Sequence, residues 1–243
     1  MEATRASMPA QAESVGGPGI TCFNFGGGYA TSQDQPFVIQ NPWASLHCEI
    51  YGDPVEIPVT LGIDQCNGDG GDQMGCTNCP CGNNAPPGTI GGCLNSAGTS
   101  ARILASGSDS IAAGDIRIEM VDAPPFSFSL LFSGNRIAPN NPANPCFGQN
   151  SGLQSMLFDG LRCALQTLRH GGRTVQFDGS VGIINGGWGP PNGPALGSGG
   201  IPAQGGFVPG QTRHFQAFMR DFSDQVCMRG QNTSQAITVT FTP

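Results

Sequence analysis

Apolar residues recur at every second position in several short stretches of this chain, the period of a half-buried β-strand. Residues 55–61 (VEIPVTL) alternate in this way, and Pro58, which has no amide hydrogen to donate, assigns that strand to a sheet edge. Residues 115–121 (DIRIEMV) place Ile116, Ile118 and Met120 on one face. Residues 126–132 (FSFSLLF) alternate too, and hydrophobicity alone turns Phe126, Phe128 and Leu130 toward the core. Shorter strand signals lie at 102–105, 174–177, 214–220 and 236–242. Residues 153–170 are ambiguous. Leu153, Met156, Leu157, Leu161 and Leu168 mark one helical face, whereas Leu161, Cys163 and Leu165 alternate. Asp159-Gly160 would interrupt a helix, which favours a loop followed by a strand. The connections are rich in Gly, Pro and Asn, notably 135–150 and 179–212, the second holding Trp188 and exceeding ordinary loop length. Short strands with Gly/Pro punctuation predict an all-β fold, a disulfide-stapled β-sandwich of jelly-roll or Ig-like type.

Composition sharpens this picture. Gly and Pro number 38 and 20 among 243 residues, so the effective core is thinner than the apolar count suggests. Charged residues make up only 11% of the chain, against about 25% in a typical soluble domain. All ten basic residues are Arg, and the formal charge is −7. Without a basic patch, general nucleic-acid binding is not expected. No apolar run approaches the length of a membrane helix, so no membrane span is expected. Residues 1–20 lack the apolar stretch of a secretion signal, and the chain reads as a mature form with its signal removed. The expected organisation is an extended N-terminal arm (1–20), N-terminal strands packed on the main domain (21–63) and the β-sandwich itself (64–243).

Five of the ten cysteines crowd into residues 66–93: Cys66, Cys76, Cys79, Cys81 and Cys93. The residues between them are mostly Gly, Asn, Asp and Pro, which form turns and bury little. Such a segment needs covalent links or a metal. Four thiolates from Cys76, Cys79, Cys81 and Cys93 could hold zinc, but an even cysteine count favours disulfides made in an oxidising, extracellular or cell-surface compartment.

Five signatures carry a family resemblance: CPCGNN (79–84), GGCLNSAG (91–98), DGLRC (159–163), TRHFQAFMRD (212–221) and NTSQAITVTF (232–241). In order and spacing they resemble a group of secreted, cysteine-containing β domains of Planctomycetes, Myxobacteria and related environmental bacteria. The likeness covers the chain from about residue 64 and implies a secreted β domain. That group has no established enzymatic activity, so the resemblance transfers no catalytic residue. Cys22, Cys48, Cys76 and Cys146 fall outside its pattern. Cys79 and Cys81 are too close to pair with each other. The expected disulfides are Cys22–Cys48, Cys66–Cys81, Cys79–Cys93, Cys76–Cys146 and Cys163–Cys227.

Candidate chemistry is sparse. Asp64, Asn67, Asp69 and Asp72 form an oxygen-rich loop that could take calcium, although it lacks the full calcium-loop pattern, and turn formation explains the same residues. His47, His170 and His214 sit in no catalytic or metal motif. The FGGGY run at 25–29 lacks the lysine of a phosphate loop. Asn232-Thr233-Ser234 fits a glycosylation acceptor. No nucleophile elbow or zinc-protease motif occurs. Trp43, Trp188, Tyr29 and Tyr51 are scattered aromatics, of which Trp188 on its loop is the best contact candidate. No catalytic residue or cofactor is assigned. The leading expectation is a self-assembling subunit of a surface filament or layer, a homo-oligomer or polymer whose arm is donated to a neighbour's sheet edge. The alternatives are a secreted module binding carbohydrate or another surface ligand, and a secreted hydrolase.

Overall fold

A computed structural model describes residues 20–25, 45–50, 61–71, 76–154, 158–165, 167–182, 187–190, 200–222 and 229–243. The chain divides into two compact units, Met1–Pro58 and Val59–Pro243. In the first, β1 (Ile20–Phe25) and β2 (Ser45–Ile50) form an antiparallel pair whose register sets Cys22 opposite Cys48. Of the expected arm only Ile20 is described, at the start of β1, and Trp43, Tyr29, Tyr51 and nearly all of the 55–61 strand lie outside the described residues.

The second unit is almost entirely antiparallel β. Its strands are β3 (Ile63–Gln65), β4 (Arg102–Ser106), β5 (Arg117–Val121), β6 (Phe128–Gly134), β7 (Arg136–Ile137), β8 (Leu153–Gln154), β9 (Leu161–Arg162), β10 (Ala164–Leu165), β11 (Leu168–Thr174), β12 (Thr212–Arg220) and β13 (Gln231–Thr240). One six-residue helix, α1, spans Gly200–Gly205. The described residues of 153–170 form the short strands β8, β9 and β10 and the start of β11 with no helix among them, in keeping with the loop-then-strand reading. The principal sheet has five strands in the order β11-β6-β12-β13-β3. A second layer is built on the β4–β5 hairpin, flanked by Leu61 beside β4 and by Val181 and Trp188 bridging to β5.

The main core fills the space between these layers. Ile103, Ile116, Ile118 and Met120 from the hairpin side pack in one cluster with Leu131, Phe215, Ala217, Met219, Ile237 and Val239 from the sheet. The alternation of 115–121 therefore predicts its buried face correctly. That of 126–132 does not. Phe126 is 74% and Phe128 45% exposed, whereas Ser129, Leu131 and Ser133 point inward. The cross-strand register gives the reason: Ser129 faces Met219, Leu131 faces Ala217 and Ser133 faces Phe215. Small residues oppose large ones in each pair, and a second aromatic against Phe215 or Met219 would overfill the layer.

A smaller core lies on the sheet's opposite face, where Cys66, Cys79, Cys93, Leu161, Cys163 and Ala236 cluster with Ile137. Two disulfides staple this region, Cys76–Cys146 and Cys79–Cys93, both as expected. The staples are joined by side-chain amides acting as surrogate backbone. Gln216 is fully buried; its Oε1 accepts from the amides of Cys163 (3.0 Å) and Ala164 (3.3 Å), and its Nε2 donates to the carbonyls of Leu161 and Ser234, each at 2.8 Å. Gln235 pairs with both main-chain groups of Ile103, docking β13 to β4. Thr233 Oγ1 donates to Leu161 O, and Asn232 Nδ2 donates to Leu94 O. Nothing larger than Gly fits beside this run: a Cβ at Gly92 would lie 1.9 Å from Thr233 O, and one at Gly160 2.4 Å from Asn232 Oδ1.

Because every hydrogen-bonding capacity of the Gln216 amide is used, Gln216→Leu removes that partner from the amides of Cys163 and Ala164 and from the carbonyl of Ser234 in a dry site, while Leu161 O keeps Thr233 Oγ1. A loss of about 3–4 kcal/mol in unfolding free energy is expected, read as a lower urea midpoint at constant slope.

Candidate functional site

The outward turn of Phe126 and Phe128 creates the most distinctive surface of the β domain. It begins in the turn 124–127. Pro125 fixes the second position, Ser127 N donates to Pro124 O at 3.3 Å, and Phe126 occupies the third position at φ 60°. This is the pattern of a type II turn, whose third position ordinarily takes Gly. A bulky residue in that left-handed conformation is rare, and here it carries its ring into solvent.

From the turn an apolar stripe continues along one sheet face, exposed at Phe128, half-buried at Leu130 and buried at Phe132. Phe128, Leu130 and Phe132 share a side of β6 by strand periodicity, and Phe218 of β12 is registered against Leu130. Two adjoining grooves follow. Pro124, Pro125, Phe126 and Phe128 line the first together with Arg220 and Phe222, and its volume is about 640 Å³. Phe222 is 74% exposed, and the Arg220 guanidinium sits 5.3 Å from its ring centre. Leu130, Phe132, Phe158, Phe218, Arg162 and Arg169 line most of the second, of about 320 Å³. Phe158 and Phe218 meet edge to face, with ring centres 5.8 Å apart.

Three arginines therefore serve the two grooves, and among the described residues no acidic residue lines either. The arginines of the inner layers are differently engaged. Arg102 pairs with Asp64 at 3.4 Å, Arg117 pairs with Glu119, and Arg213 stacks on Phe207. Behind the second groove Asp159 is buried, and that burial raises its carboxyl above the usual range. Apolar rings with guanidinium groups and no carboxylate suit a partner that offers apolar surface and negative charge.

The residues singled out from sequence fall elsewhere. Trp188, the expected contact residue, is fully buried, and its Nε1 donates to Gly171 O at 2.8 Å. It is a core residue tying β11 to the β5 layer, because its segment pairs with β5 and turns the ring inward. The oxygens of the calcium candidates go to protein donors. Asp64 accepts from Arg102 and Gln235, Asn67 from Gly91 N at 3.4 Å, and Asp69 from Gly71 N and Gly88 N. These contacts match turn and docking chemistry, and Asp72 lies outside the described residues. Asn232 is fully buried within β13, which corrects its reading as a glycosylation acceptor: the folded chain gives no access to that side chain.

Two of the expected disulfides are also corrected. Cys66 and Cys163 are free buried thiols, so the pairs Cys66–Cys81 and Cys163–Cys227 do not form in this structure. Cys66 Sγ is instead turned toward Cys163 and donates to Asn150 O at 3.0 Å. Cys81 is disulfide-bonded, and Cys227 lies outside the described residues.

Among the histidines, His214 Nδ1 meets Thr238 Oγ1 at 2.8 Å on the sheet, and His47 lies on β2. His170 is fully buried between Ser133 Oγ (2.7 Å from Nε2) and Gln204 Oε1 (3.1 Å from Nδ1). A serine, a histidine and an orienting amide in line resemble a nucleophile and its base. Here Ser133 and His170 have no exposed surface, and the ring packs among Phe207 and Phe215. Burial depresses the His170 pKa, favouring the neutral ring that such packing requires.

Among the described residues no helix is long and apolar enough to cross a membrane. Comparison of the chain with protein-family models, with curated proteins and with solved structures finds no match.

The ring of Phe126 contributes little to the fold and sits on a backbone that favours Gly. Phe126→Gly is expected to keep the unfolding free energy within about 1 kcal/mol of the parent, against the 3–5 kcal/mol typical of a core Phe truncation. Thermal denaturation of dilute protein measures this.

Proposed function

We propose that this chain is a self-assembling structural subunit of an extracellular filament or layer, and that the aromatic–arginine face is the surface through which one copy docks on the next. One observation carries the reading: exposed Phe126, Phe128 and Phe222 line two adjoining grooves with Arg162, Arg169 and Arg220, and among the described residues no carboxylate lines them. Aromatic rings and arginine are the residue types enriched at protein interfaces, and acidic residues are depleted there.

The occupant is a second copy on grounds of charge. The chain carries 17 acidic residues against ten arginines, so its remaining surface is acidic where this face is basic. Asp115 and Asp178 are exposed on loops away from the grooves; Asp115 accepts from the Ser108 hydroxyl and Asp178 from the Ser180 amide, and these serine contacts hold both carboxyls below the usual range. A basic face meeting an acidic surface is a heterologous contact, which propagates into filaments or sheets when it does not close. The disulfides support an oxidising compartment, and the likeness to secreted β domains is in keeping with it.

A second reading, a secreted module binding an acidic carbohydrate, is favoured by the groove of Arg162 and Arg169 walled by Phe158 and Phe218. Saturable binding of a uronic-acid oligosaccharide by monomeric protein, lost in Arg169→Ala, would support it.

Sedimentation over a hundredfold concentration range separates the two. Self-assembly predicts growth with concentration that weakens as salt rises. It also predicts at least a tenfold weaker association for Phe126→Ser/Phe222→Ser, about 1.4 kcal/mol or more, and a comparable loss for Arg220→Glu. Parent protein that stays monomeric throughout, or variants that assemble like the parent, would overturn it.

A further inference from the structure

Cys66 and Cys163 are fixed by separate parts of the chain and arrive at one place. Cys66 follows β3, whose Gln65 is registered against Ala236 of β13. Its own backbone is held at φ 59°, a left-handed conformation unusual for a residue with a side chain. Cys163 is held at its amide by Gln216 and at its carbonyl by Ala138 N. Both side chains are buried in the same small cluster, 4% and 0% exposed, beside the Cys79–Cys93 disulfide. Their sulfurs rest on the same three-residue turn: Cys66 Sγ lies 3.0 Å from Asn150 O, and Cys163 Sγ lies 3.1 Å from the point where a Cβ on Gly152 would stand. The two thiols also interact directly, which together with burial raises the Cys66 pKa.

From this juxtaposition we infer that Cys66 and Cys163 form a disulfide with each other, a further covalent staple that ties the end of β3 to the β9–β10 corner over the buried face of β13. The reaction is thiol–disulfide exchange with an external disulfide, a small-molecule disulfide or a disulfide oxidoreductase. One cysteine thiolate attacks the donor to give a mixed disulfide and release one donor thiol. The second cysteine then displaces the other donor thiol, closing the Cys66–Cys163 bond. Two protein thiols and one external disulfide become one protein disulfide and two external thiols. Attack requires a thiolate, and burial suppresses that form for Cys66 in the folded domain. The bond therefore closes while the chain is folding, before the cluster shuts out the donor.

The test begins with unmodified protein refolded with a glutathione redox couple, then denatured and alkylated without reduction. Expected are no alkylation at Cys66 or Cys163 and, after non-reducing digestion, a peptide joining the two. Alkylation of both, or peptides joining Cys66 to Cys81 and Cys163 to Cys227, would overturn the inference. A second arm uses Cys66→Ser refolded in the same way. Cys163 should now be alkylated while Cys76–Cys146 and Cys79–Cys93 peptides persist, whereas Cys163 found in a disulfide would contradict the pairing. A third arm folds the full chain first with Cys66 and Cys163 reduced and only then adds the donor. Closure at least tenfold slower than during refolding is expected, and equal rates would contradict closure before burial.

Discussion

Burial of polar side chains in the sheet governs how this domain is put together. In most β domains the loops lie over strands through their apolar side chains. Here Gln216, Asn232, Thr233 and Gln235 reach out of the sheet and hydrogen-bond the main chain of the segments above and beside it. Each amide side chain has a donor and an acceptor that mimic a peptide group, so it pairs with extended backbone as another strand would. The cost of leaving such groups unpaired in a dry interior makes the arrangement all-or-none. It also explains the glycines at 92 and 160, where a side chain would hold the covering segments off the amides.

That constraint divides one face of the principal sheet. Around Ala236 and Gln216 the face is closed by the β9–β10 segment and the cysteine cluster, with Cys76–Cys146 and Cys79–Cys93 securing the loops. Along the start of β6 no such segment covers it among the described residues, and the groove there is lined by Phe and Arg where a solvent-facing strand usually carries short polar or mixed charged groups. The opposite face is shut by the β4–β5 layer and Trp188. The covered part of the sheet and its open groove thus lie on one face, and exposed residues such as Phe126 are not constrained by core packing.

Much of the architecture is legible in the residue pattern. Ile116, Ile118 and Met120 alternate and are buried, and the extended reading of 153–170 holds because Asp159-Gly160 breaks the helical stripe. Both described disulfides are among the expected pairs. The FSFSLLF stretch misleads because hydrophobicity identifies the two faces of a strand without saying which one a neighbour has room for; Ser129 and Ser133 go inward because Met219 and Phe215 stand opposite. Trp188 misleads in the other direction, since a Gly/Pro setting suggests an exposed loop while its backbone in fact bridges to β5. Asn232-Thr233-Ser234 fits a glycosylation signal, and only the tertiary partners of each side chain reveal the 232–235 run as core. Cys66 and Cys163 are 97 positions apart, and spacing cannot indicate that both rest on the turn at 150–152.

In the assembly we propose, the open aromatic–arginine face is covered by another copy of the chain. Hydroxyl-radical footprinting of full-length protein, read by mass spectrometry at single residues across rising concentration, addresses it directly. Phe126, Phe128 and Phe222 should lose most of their labelling as the concentration rises, while Phe147 and Phe177, exposed but outside the two grooves, serve as internal references and need not change with them. Labelling of the three groove phenylalanines that stays constant at every concentration would contradict the claim.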